Sequence, residues 1–178
     1  MIEANDPETL RQAIRRIRFF SDVLDSPQLD GLADQSRIVR FGPGQVLMAQ
    51  GDFGSTMFGI LGGAVEVTYL DSQERERDVA MLTEGEIVGE IALLTGERRT
   101  ATVTALSAVY AIEISKTALE RIVSKAPDLV EGFGAVLALR KAGLEQIEAE
   151  GHRAILDEYI RQIRSVFRSL FGSEESRP

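Results

Sequence analysis

Met57-Phe58-Gly59-Ile60-Leu61-Gly62-Gly63-Ala64-Val65-Glu66-Val67 places two apolar runs on either side of a glycine pair. Such runs favour extended backbone, and Gly62 and Gly63 permit the close approach that a tight corner between two strands demands. The same texture continues in both directions. Short apolar segments punctuated by glycine and polar turns extend from Arg37 to Ile114, which predicts strands over 38–41, 45–49, 57–61, 64–70, 78–82, 101–105 and 109–114. Gly42, Gly44, Gly51 and Gly54 fall at further corners and read as structural. Asp71-Ser72-Gln73-Glu74-Arg75-Glu76-Arg77 reads as a polar hairpin loop with a solvated tip.

Outside this β unit the apolar period lengthens to that of helices. Asp6 before Pro7 and Glu8 is an N-cap followed by proline at the first helical position, with Leu10, Ile14 and Ile17 on one face. Arg11, Arg15, Arg16 and Arg18 fill the other side, as a solvated face or a contact to a partner domain or anionic surface. Ser26-Pro27 repeats the start signal ahead of Leu29 and Leu32. After the strands, Ser115 caps a helix running through Leu119 and Ile122 to Lys125, and Pro127 opens another with Leu129, Val130, Phe133, Leu137 and Leu144 as its apolar positions. Beyond Gly151-His152, Ile155, Tyr159, Ile163, Val166 and Leu170 form an amphipathic stretch with Arg161, Arg164 and Arg168 among them. That stretch suits packing on its own domain or pairing with a second copy, giving a homo-oligomer; lying on a membrane is the lesser reading. The resulting segments are a helical 1–36, a β unit over 37–114, helices over 115–150 and an amphipathic tail over 151–178.

Composition narrows the chemistry. A chain of 178 residues, 44% apolar and 27% charged, is an ordinary globular domain with one sizeable core. No apolar run reaches the roughly 20 residues that would span a bilayer. No leader peptide is recognisable, and a reducing cytoplasm is the expected compartment for a chain without cysteine. The net charge of −8 disfavours broad binding to nucleic acid. His152 is the sole histidine, so a metal-dependent enzyme on a small β-barrel lacks its ligands. No nucleophile–base pair or acid–base dyad stands at persuasive spacing, and no catalytic role is expected.

The chemistry concentrates in Gly89-Glu90-Ile91-Ala92-Leu93-Leu94-Thr95-Gly96-Glu97-Arg98-Arg99-Thr100-Ala101. A short helix starting near Glu90 turns its unpaired N–H groups toward an anion, and Arg99 can return to the same anion with paired donors. Glu90 accepts hydrogen bonds only, so beside a phosphate its fitting partner is a sugar hydroxyl. Its simpler role is a helix-start carboxylate, and for Arg99 a surface arginine in a turn.

These residues resemble the phosphate-binding cassette of cyclic nucleotide-binding domains. The resemblance runs from about Phe19 to about Arg140 and includes Phe41-Gly42-Pro43-Gly44, Gln50-Gly51-Asp52 and the Met57 to Val67 corner, in the family's order. It implies a mainly β fold with flanking helices, an antiparallel, jelly-roll-like β-roll with N-terminal helices and C-terminal lid helices. It further implies a cyclic nucleotide bound by Gly89, Glu90, Ile91, Ala92, Arg99 and Thr100, with the N–H groups of Ala92 and Thr100 and the Arg99 guanidinium on the phosphate and Glu90 on the ribose. Val79, Ile87 and Val88 are candidates for an apolar wall against the purine, although core packing explains them equally well. Arg140 matches an arginine that stacks on the base in channel-type members. Arg98 stands where many members carry proline, and Val88 where phenylalanine is frequent.

The implied function is a sensor for cAMP, with cGMP a contender because of Thr100, that closes its C-terminal helix on the base and drives an effector such as a membrane channel. A detached module of a prokaryotic cyclic nucleotide-gated channel, at the cytoplasmic face of the membrane, fits that expectation. The alternatives are a catabolite-activator-like transcription regulator without its DNA-binding domain, and a ligand-free protein-interaction module.

Overall fold

The computed structural model describes residues 5–135, and its first helix begins where Asp6-Pro7 places it. The Asp6 carboxylate accepts from the N–H groups of Glu8 and Thr9, opening α1 (Pro7–Arg15), whose Leu10, Ala13 and Ile14 are buried. The arginines on its other side are used internally. Arg11 pairs with Asp34 at 3.0 Å and Arg15 with Asp30 at 2.6 Å, tying α1 to the end of α3 (Ser26–Ala33). Arg16 donates to the Leu61 carbonyl at 3.0 Å and pairs with Glu84. Between them lies a single turn, α2 (Arg18–Ser21), which the sequence reading lacks because four residues carry no legible period. The cap of α3 is Asp25 rather than Ser26, in a capping box with Gln28.

Eight strands follow: β1 (Arg37–Phe41), β2 (Val46–Met48), β3 (Thr56–Gly62), β4 (Val65–Leu70), β5 (Glu76–Leu82), β6 (Ile87–Val88), β7 (Thr102–Ala105) and β8 (Val109–Ser115). They form two antiparallel four-stranded sheets, ordered β1-β8-β3-β6 and β2-β7-β4-β5. The seven expected strands are all present, and β6 is the addition: at two residues it is shorter than any period can reveal. Alternation selects the core. Phe58 and Ile60 of β3, Val65 of β4, Val88 of β6, Val103 and Ala105 of β7, and Val109 and Ala111 of β8 form one buried cluster with Met48.

The two sheets differ in what covers their other face. Met57, Ile112 and Ile114 of the first sheet point away from that cluster and are also fully buried. Ile17 packs there so closely that a Cβ on Gly59 would lie 2.7 Å from its Cγ1. The second sheet has no such cover among the described residues: Met81 and Leu70 are exposed. Its last strand carries a bulge, because Val67 faces Ala80 and Thr68 faces Asp78, leaving Val79 in excess.

The hairpin between β4 and β5 is organised by Asp71, which accepts from the N–H groups of Gln73 and Arg75 and from the side chains of Arg75 and Arg77. Helix α5 (Lys116–Lys125) follows β8, with the Ser115 hydroxyl accepting from Ala118 N–H at 3.1 Å. The chain divides into two compact units, Met1–Ile122 and Val123–Pro178. In the second, the described residues include a helical stretch over 129–135 in which Leu129, Val130 and Phe133 are buried. No helix among the described residues is long and apolar enough to cross a membrane.

Candidate functional site

Strand β6 leaves the core at Val88 and the chain turns at once into α4 (Glu90–Thr95). Gly89 makes this turn as the N-cap with φ 85°, and Gly96 ends the helix with φ 74°, both in the left-handed region that glycine alone enters freely. The first-turn N–H groups of α4 have no acceptor within so short a helix. Glu90 and Ala92 are buried at this end, with Glu90 only 6% exposed.

Arg99 comes back to the same place. It is 7% exposed, and its Nη1 donates to the Gly89 carbonyl at 3.0 Å while Nη2 donates to the Thr56 carbonyl at 2.6 Å. A longer contact joins Nη2 to the Thr56 hydroxyl at 3.5 Å. Burial lowers the Arg99 pKa below the usual arginine range, and the nearby charges of Glu90 and Asp52 oppose that shift. The guanidinium stays a cation, since even a substantial fall leaves arginine protonated near neutrality.

The backbone around Arg99 is laced to the loop before β3. Gly51 N–H donates to the Arg99 carbonyl and Arg99 N–H to the Asp52 carbonyl, both at 2.8 Å. Arg98 turns outward: its Nη1 donates to the Gly51 carbonyl at 2.9 Å, and its guanidinium stacks 3.8 Å over Phe53.

The structure thus brings Gly89, Glu90, Ile91, Ala92 and Arg99 to one end of α4. Thr100 follows directly and is exposed. Ile87 and Val88 are consecutive strand residues and emerge on opposite faces, so they do not share one wall: Val88 belongs to the cluster between the sheets and Ile87 does not. Val79 is the exposed bulge residue of β5. Arg140, Leu137 and Leu144 lie outside the described residues. In the sequence Thr56 and Asp52 have no role at the site, Asp52 entering only within Gln50-Gly51-Asp52, because they serve Arg99 largely through carbonyl oxygens, which every residue has. Among the described residues no group of three or more His, Cys, Asp or Glu is placed to hold a metal ion.

A buried guanidinium thus stands beside the first turn of a short helix, with a buried carboxylate next to it. The model of the cyclic nucleotide-binding domain matches residues 38–126. The chain belongs to that family. This cyclic nucleotide-binding domain is 30% identical over 112 residues to a cGMP-dependent protein kinase of Toxoplasma gondii, covering 63% of the chain and 11% of the kinase. It is 28% identical over 134 residues to the cAMP-activated global transcriptional regulator CRP of Escherichia coli, covering 74% of the chain and 62% of CRP. Among solved structures, the regulatory subunit of a cAMP-independent protein kinase A from Trypanosoma brucei superposes with a TM-score of 0.64 at 28% identity, covering 70% of this chain and 46% of that one. The chain therefore spans less than two thirds of the length of these relatives. Domains of this kind are regulatory binding modules, not enzymes.

Proposed function

We propose that this domain binds a cyclic purine nucleotide, cAMP before cGMP, and reports its presence to a regulatory partner. The observation that carries the reading is the buried Arg99 guanidinium held at the start of α4, beside Glu90. An arriving cyclic phosphate would gain the first-turn amides and the guanidinium together, and Glu90 would take the ribose hydroxyl. Ala92 leaves its N–H approachable, Ile91 continues the same turn and Thr100 offers an exposed hydroxyl. Val88 and Val79 remain candidates for contact with the base.

Fold and relatives support the details unequally. The strand orders 1-8-3-6 and 2-7-4-5 support a jelly-roll-like roll. The named relatives are a kinase, a kinase regulatory subunit and a transcription regulator, so the effector proposed is of the kinase-regulatory or catabolite-activator kind. The channel of the sequence reading has no support from them. Closure of the C-terminal helix on the base, with Arg140 stacking, and pairing of two copies through the amphipathic stretch rest on the resemblance. Closure would require that the ligand favour the closed state by differential affinity.

Titration calorimetry with cAMP, cGMP and linear 5′-AMP tests the reading. Heat is expected from the cyclic species alone, and Arg99→Ala should weaken binding about tenfold to a hundredfold, the worth of a charge-assisted hydrogen bond. No binding of either cyclic nucleotide, or an unchanged isotherm for the variant, would remove the proposal.

A further inference from the structure

Gly54 lies in the loop between β2 and β3, two residues before β3 opens at Thr56. Its φ is not in the left-handed region, unlike Gly44, Gly51, Gly63, Gly85, Gly89 and Gly96. Backbone conformation therefore does not explain it. Space does. A Cβ built on Gly54 would lie 2.7 Å from Arg99 Nη2 and closer still to Cζ and Nε. A Cβ on Gly89 would lie 2.6 Å from Nη1 of the same guanidinium.

We infer that Gly54 is a positioning residue of the anion site: the side chain it lacks is the room in which the Arg99 guanidinium sits. This inference deepens the nucleotide-binding reading and rests on it for the ligand, although the seat itself stands on geometry. Arginine carries five N–H donors. Among the described residues Nη1 gives one to Gly89, and Nη2 engages the carbonyl and hydroxyl of Thr56. The seat thus fixes the guanidinium plane beside α4 and leaves donors for a phosphate, so the group need not leave its seat to bind. The obstruction an alanine would cause falls on the mobile end of a long side chain. The fold survives and the guanidinium is displaced.

The test is a double-mutant cycle between Gly54→Ala and Arg99→Ala, read by thermal melting without ligand and by calorimetry with cAMP. In the parent, Gly54→Ala is expected to lower the melting temperature and weaken cAMP about tenfold or more, as loss of an aligned charged donor does. In the Arg99→Ala background the same change should leave cAMP affinity unmoved and hold or raise the melting temperature, since alanine at an ordinary φ restricts the unfolded chain. Equal effects in both backgrounds, or none in the parent, would overturn the inference. If the parent binds no cyclic nucleotide, the nucleotide reading fails, and the melting arm still decides whether Gly54 seats Arg99.

Discussion

Gly63 at the corner after β3 and the glycine pair around Arg99 use one residue type for opposite ends. At Gly63 an added Cβ would lie 3.0 Å from the Ala108 carbonyl carbon and closer still to its oxygen, with φ at 85°. Both obstacles are backbone, so the corner is a condition of folding. At Gly54 the obstacle is a side chain, and at Gly89 it is a side chain together with a left-handed φ. Where backbone stands in the way, a glycine protects the fold; where only a guanidinium does, it protects a function.

The comparison can be broken at several points. Gly63→Ala should produce the largest change, a loss of roughly 3 kcal/mol of stability by chemical denaturation, because left-handed strain and a backbone collision add. Gly89→Ala should cost about 1–2 kcal/mol of stability from its φ and also weaken cyclic nucleotide binding, so the two readouts move together. Glu90→Gln should lower the melting temperature and weaken cAMP about fivefold by calorimetry, since a neutral amide replaces the buried charge beside Arg99.

A corner built without a positive-φ glycine supplies the smallest effect. Asp71 closes the β4–β5 hairpin, and hydrogen bonds from the Arg75 backbone first, then Gln73 and the Arg77 and Arg75 side chains, hold its pKa below the ordinary aspartate value of 3.8. A carboxylate so lowered contributes stability above its unfolded pKa and loses that contribution as pH falls through the folded value. NMR titration should place its midpoint below 3.8, and a midpoint at or above that value would show the turn to be held by something else.

The residues legible in sequence were those whose side chains act locally. Asp6 before Pro7, Ser115 before α5 and the alternation through β3 and β4 declare themselves because capping and pleating are short-range. Asp25 was missed as a cap because Ser26 beside it carries a similar oxygen. Glu90, Gly89 and Arg99 were legible through their spacing, and their meeting is what the fold adds. Arg11, Arg15 and Arg16 looked like a solvated face, and their acidic partners at Asp34, Asp30 and Glu84 come from distant segments. Gly54 read only as a structural corner, because the reason for it lies 45 positions later at Arg99.

The extra residue in β5 has a consequence for encounters between copies of this protein. Val79 splits that outer strand into two ladders of three residues, Glu76 to Asp78 and Ala80 to Leu82. A stray chain seeking to extend the sheet meets an interrupted template with charges on one half. Among the described residues this is the less covered of the two sheets, and the interruption guards its edge against fibrous growth.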